Sequence, residues 1–188
     1  MSSFTMTKIY LFLILCSTAL QACSQTPATN NPATNNTTTT TTPAPKPQPE
    51  AYKSDKAGWL VDLDEAYAIS IKEKKPIMAN FTGSDWCGWC KRLDASVFSK
   101  PEFQTWAKKN VVLLELDFPR GKQLPQKNRE QNAAMQNALQ VSGYPTVWVF
   151  NLDKNPESGQ YQINGLGKTG YTPTVEEFIA TADKFVHP

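Results

Sequence analysis

The chain has 188 residues, 40% hydrophobic and 19% charged, with 19 Lys and Arg against 17 Asp and Glu for a formal charge of +2. That balance gives no strong field for nucleic acid, and the length suits one ordinary domain with appendages rather than two large ones. The single His, at position 187, removes the usual general base and the commonest metal ligand from almost the whole chain, so carboxylates, hydroxyls or cysteines must carry the chemistry.

Residues 1–22 place Lys8 before an uncharged run of 12 residues, Ile9 to Leu20. A membrane-spanning helix needs roughly 17 to 25 apolar residues, so a secretory signal peptide fits better. Its exit, Leu20-Gln21-Ala22-Cys23, resembles the lipobox of bacterial lipoproteins, which implies cleavage before Cys23 and a lipid on that cysteine. Cys16 lies in the apolar run and is discarded with it. Residues 24–50 consist largely of Thr, Asn, Pro, Ala and Gln and contain no Leu, Ile, Val or aromatic residue. Such a segment cannot bury enough apolar surface to offset its chain entropy, so residues 23–54 read as lipid-anchor cysteine plus tether. As a flexible coil the tether would span roughly 30 Å.

Residues 55–188 read as one domain. Leu60, Leu63, Tyr67 and Ile71 recur at helical spacing up to Lys74-Lys75-Pro76, which stops the helix. Residues 77–81 and 111–116 are apolar runs suited to buried strands. Between them Ser99 and Glu102 form a capping-box pair, with Phe98 and Phe103 spaced for a hydrophobic staple, which predicts a helix over about 100–109. Residues 130–139 read as helix. Residues 146–150 and 161–166 read as strands joined through a stretch rich in Asn, Asp, Pro and Gly, an antiparallel hairpin. Thr172-Pro173 then precedes an amphipathic helix carrying Val175, Phe178, Ile179, Ala182 and Val186. Helices alternating with strands, then a hairpin and a helix, predict a three-layer α/β/α domain with a central mixed sheet.

Trp86-Cys87-Gly88-Trp89-Cys90-Lys91 follows the first strand and the turn Thr82-Gly83-Ser84-Asp85, and it opens a helix running through Leu93 and Val97. Two cysteines three apart on a first helical turn share a face and can close a small disulfide. The unpaired N–H groups of the helix N-terminus favour a negative sulfur, the species that attacks a disulfide. Cys87, nearer the exposed end, reads as the nucleophile, and Cys90 as the residue that resolves the mixed disulfide.

This constellation resembles the thioredoxin superfamily, and Gly143-Tyr144-Pro145-Thr146 resembles its cis-proline loop. The resemblance covers about residues 55–186 and implies the thioredoxin fold, with Pro145 in the cis form facing the cysteines. It also implies that the backbone of Tyr144 pairs with a substrate chain as an added strand. The implied substrate-facing set is Trp86, Gly88, Trp89, Tyr144 and Pro145. The family's buried Asp is replaced by Asn80, which cannot accept and release a proton as a carboxylate does, and its nearby Lys falls on Leu113. Between the cysteines stands Gly88-Trp89, without the His of the strong oxidants, which favours a reductase or isomerase of protein disulfides. The implied partners are disulfide-bearing protein substrates, a membrane electron donor, and the membrane itself through Cys23. The implied location is the bacterial cell envelope, periplasm-facing or at the surface. No cofactor is implied.

Rival readings use the same residues. Zinc needs about four ligands, and Cys87, Cys90 and His187 supply three at most. A c-type haem would need His after Cys90, where Lys91 stands. A redox-inert binding module with a structural disulfide is the other alternative. Of the aromatics, Trp86 is expected to pack against the domain and Trp89 to face substrate, while Trp59, Trp106 and Trp148 are assigned to packing. The segment 118–132, with Arg120, Lys122, Lys127 and Arg129, reads as a solvated charged loop or a partner-docking one.

Overall fold

A computed structural model describes residues 52–188. The signal segment, Cys23 and most of the tether lie outside the described residues. Tyr52 and Ser54, at the end of the tether, already touch the domain: the Ser54 hydroxyl donates to Glu115 (3.1 Å), and Lys122 lies over the Tyr52 ring.

The elements in chain order are α1 (Leu63–Glu73), β1 (Ile77–Thr82), α2 (Gly88–Leu93) running into a π-helical turn (Asp94–Phe98), then α3 (Pro101–Asn110) and β2 (Val112–Asp117). After these come α4 (Gln126–Ala138), β3 (Thr146–Lys154), β4 (Tyr161–Thr169) and α5 (Val175–Val186). The sheet order is β2-β1-β3-β4, with β1 and β2 parallel and the other two pairs antiparallel. This is the expected mixed sheet with its expected hairpin.

Strand β1 is buried along its whole length because both faces are covered. Ile77, Ala79 and Phe81 join Leu63 and Ala66 of α1, Met135 of α4 and Leu139 just past its end in one core. The other face, with Met78, Val147 and Val149, packs on Leu93, Val97, Phe103, Ala107, Phe178 and Ala182. The three layers thus follow from the two-residue alternation of the strands meeting the apolar stripes of the helices.

Several local expectations shift. Leu60 lies outside α1 and instead bridges Leu114, because Asp62 caps the helix by accepting the N–H groups of Asp64 and Glu65. Ser99 forms no capping box: its N–H closes the π turn onto Asp94, and α3 starts from Lys100 with Pro101 in its first turn. The Phe98 and Phe103 rings still meet, 5.0 Å apart. Helix α4 starts at Gln126 rather than 130, so Lys127 and Arg129 are helical and the charged loop is shorter than expected. Its buried face carries Asn128 and Asn132, whose side chains donate to the carbonyls of Val61 (2.9 Å) and Asp117 (2.8 Å). Buried polar groups are tolerated when paired in this way, and such a face leaves no apolar periodicity to read.

Candidate active site

The turn after β1 delivers Cys87 to the start of α2. The N–H groups of Trp86 and Cys87 both donate to the Gly83 carbonyl (3.2 and 2.8 Å). Gly83 is needed here because a side chain would run into the Trp86 indole. Ser84 donates its N–H and hydroxyl to the Asp117 carboxylate at the end of β2 (2.8 and 2.6 Å). Asp85 accepts the N–H groups of Gly121 (2.5 Å) and Arg120 (3.0 Å), and these bonds hold its carboxyl below the usual range. Trp86 Nε1 donates to the Phe118 carbonyl (2.8 Å). Three consecutive residues therefore fasten the turn to the end of β2 and the segment that follows it.

Cys87 and Cys90 are joined as a disulfide with their Cα atoms 5.2 Å apart. Cys87 is the N-cap of α2, and its Sγ accepts the Cys90 N–H at 3.2 Å. The expected difference in exposure between the two cysteines is absent, since each residue is 5% exposed. What distinguishes them is the helix terminus. Cys87 sulfur receives the free N–H and the positive end of the peptide dipoles, which favours its thiolate.

The Tyr144–Pro145 peptide is cis, as the resemblance implied. Tyr144 lies edge-on to Trp86 (5.8 Å between centroids) and against Phe118 (5.2 Å), and its hydroxyl accepts from Gln136 Nε2 (2.9 Å). Trp86 is thus packed on one side yet 37% exposed, while Trp89 is 52% exposed. Trp89 packs edge-on to Tyr171 (4.8 Å) and under the Arg92 guanidinium (4.7 Å). Tyr171, 39% exposed, was not predicted from sequence. Trp59 is buried in the core, and Trp106 packs against it, anchored by Nε1 to Asp183 (3.0 Å). Among the described residues, three of the four well-exposed large hydrophobic side chains thus lie next to the dithiol or touch its neighbours, which suits recognition of apolar chain segments.

Asn80 is 2% exposed, and its Oδ1 has no hydrogen-bond partner among the described residues. Directly across on β2, in register and on the same face, stands the buried Glu115. Glu115 pairs with Lys56, which also lies 3.9 Å from Asp94 at the start of the π-helical turn that continues α2. Sequence spacing offered no route to this group, since Lys56, Asp94 and Glu115 meet only through the sheet and the segment before α1. Among the described residues no cluster of three or more His, Cys, Asp or Glu is arranged to hold a metal.

Asn80→Asp tests the polarity of this pocket. Burial would raise the new carboxyl's pKa in the folded state above its unfolded value of about 3.9, the charge of the facing Glu115 being largely offset by its Lys56 partner. The destabilisation is therefore absent below about pH 4 and grows as pH rises through the folded pKa, reaching about 1 to 3 kcal/mol. Thermal unfolding of variant and parent across that range checks it. A difference that does not change with pH would show that Asn80 sits in contact with water.

The strand order, the dithiol at a helix N-terminus and the cis-proline loop define a thioredoxin fold with its cysteine pair in the disulfide form. The chain belongs to the thioredoxin-like family, whose model matches residues 58–151. It is 35% identical over 83 residues to the disulfide bond reductase DsbH of Chlamydia pneumoniae, covering 44% of this chain and 50% of that protein. It is 33% identical over 107 residues to the thiol:disulfide interchange protein DsbD of Klebsiella pneumoniae, covering 57% of this chain and 16% of that one. The chain thus spans half the length of the first of these relatives and less of the second. A solved structure of DsbH oxidoreductase superimposes with a TM-score of 0.59 at 25% identity, over 75% of this chain and 90% of that chain.

Proposed function

We propose that this chain is an envelope thiol-disulfide oxidoreductase that reduces or isomerises protein disulfides through Cys87 and Cys90. The observation that carries the reading is the position of Cys87 Sγ as the N-cap of α2, accepting the Cys90 N–H, with the preceding Trp86 packed against Tyr144 of the cis Tyr144–Pro145 loop. Similarity to proteins named for disulfide reduction and interchange supports it. In the cycle, the Cys87 thiolate attacks a substrate disulfide, forming one sulfur–sulfur bond and releasing one substrate thiolate. The Cys90 thiolate then attacks Cys87, releases the second substrate thiolate and leaves the enzyme disulfide. Two electrons have passed to substrate, and a donor dithiol must return them before the next turnover. Trp86, Gly88, Trp89, Tyr144 and Pro145 would line the path of the substrate chain. The leader and the lipobox-like Leu20 to Cys23 support export and a lipid anchor on Cys23, with a membrane protein as the electron donor.

Equilibration with glutathione or dithiothreitol buffers, followed by thiol labelling, measures the potential of the pair. A working centre is expected between about −270 and −180 mV, whereas a value well below about −300 mV would make the bond structural and sink the proposal.

A further inference from the structure

Between the segment after β2 and helix α4 runs a groove of about 680 Å3, tied to the turn before Cys87 through Asp85 and Trp86. Its apolar lining includes Phe118, Leu124 and Ala133, and its cations are Arg120, Lys122 and Arg129. Lys122 is committed to Asp117, 3.4 Å away, and to Asp55 at 3.9 Å. Asp117, the one carboxylate that lines it among the described residues, is buried and also engaged by Ser84. Arg120 lies 4.0 Å over the exposed Trp86 ring, and Arg129 donates to the Leu124 carbonyl (2.5 Å). Both arginines are exposed, and among the described residues neither has a carboxylate within ion-pair distance. Residues 51–188 carry 17 Lys and Arg against 16 Asp and Glu, so two unmatched guanidinium groups in one groove are a local concentration, not a reflection of a basic domain.

The groove also adjoins the reaction path. Trp86, which precedes Cys87, forms its junction with Arg120, and Gln136 in its lining holds the hydroxyl of Tyr144, which precedes Pro145. A chain lying along Tyr144 would reach the groove within a few residues of its disulfide, at about 3.3 Å per extended residue. Resting on the proposed oxidoreductase reading, we infer that this groove receives an acidic peptide segment of the client protein, carboxylates on Arg120 and Arg129 and aliphatic parts on the apolar lining. Guanidinium groups pair carboxylates with two parallel hydrogen bonds, and a partly apolar groove strengthens such pairing over open water. Specificity for acidic-flanked disulfides follows, mostly through KM.

The test uses the full chain and two disulfide-bonded peptides, identical except that Asp and Glu beside one cysteine are replaced by Asn and Gln in the second. Bis(2-hydroxyethyl) disulfide serves as an uncharged reference. The acidic peptide is expected to be favoured about tenfold in kcat/KM, corresponding to about 1.4 kcal/mol. That preference should fall toward unity in Arg120→Gln/Arg129→Gln and at high salt, where screening shortens to about 3 Å at 1 M. The readout is a ratio, so a general loss of activity in the variant cancels. Equal turnover of both peptides by the parent, or a preference unaltered in the double variant, would overturn the groove proposal while leaving the oxidoreductase reading standing. Failure to reduce any of the three would overturn both.

Discussion

Replacing Cys87 with serine is expected to lower the rate of insulin disulfide reduction by about 10³-fold or more, while leaving the fold intact. A serine hydroxyl does not attack disulfides, so the first bond exchange has no nucleophile. The position itself tolerates the change. Cys87 already acts as the N-cap of α2 through its side chain, and serine is among the best residues for that role. The disulfide that is lost closes a loop with a sequence separation of only 3, so little chain entropy depends on it. Circular dichroism should therefore match the parent while turnover vanishes. Cys90→Ala should behave differently: attack by Cys87 proceeds, the resolving thiol is missing, and clients accumulate as mixed disulfides visible on non-reducing gels. Retention of a tenth or more of parental activity by Cys87→Ser would end the proposed mechanism.

Phe103→Ala is expected to be the most damaging of the core truncations, costing about 3 to 5 kcal/mol. Phe103 is fully buried, and its ring meets those of Phe98 at 5.0 Å, Phe178 at 5.7 Å, Trp106 at 6.2 Å and Trp59 at 6.4 Å. Deleting it removes apolar transfer energy and leaves a cavity between α3, α5 and the π turn, where large rigid rings cannot collapse inward. With domain stabilities of about 5 to 15 kcal/mol, the loss would consume a large share of the total. Urea denaturation midpoints at unchanged slope measure it. Ile71→Ala, at a position 54% exposed on α1, should move the same midpoint by no more than about 0.5 kcal/mol. A cost for Phe103→Ala below about 1 kcal/mol would mean that this aromatic cluster is not the packing centre of its layer.

The features legible in the sequence were those with short-range physical causes. The dithiol and its helix follow from adjacent residues, because capping, the helix dipole and a three-residue spacing act within one turn. The elements whose apolar periodicity survives, β1, β2, the hairpin and α5, were placed to within a few residues. Helix α4 began four residues early because Asn128 and Asn132 occupy its buried face, where hydrogen bonds to Val61 and Asp117 replace apolar contact. The capping role read onto Ser99 failed because the π turn before it claims the same N–H group.

By itself, then, the order of residues determined the dithiol, its helix and the alternation that yields three layers, each a matter of local geometry and patterning, while the cis-proline loop came from the family resemblance. Only the tertiary structure decided what surrounds them. Tyr171 meets Trp89, Glu115 stands across from Asn80, and Arg120 lies over Trp86, across sequence separations of 82, 35 and 34 residues. These contacts depend on strand register and on where a helix lands, which are set by burial summed over the whole core and not by any one segment.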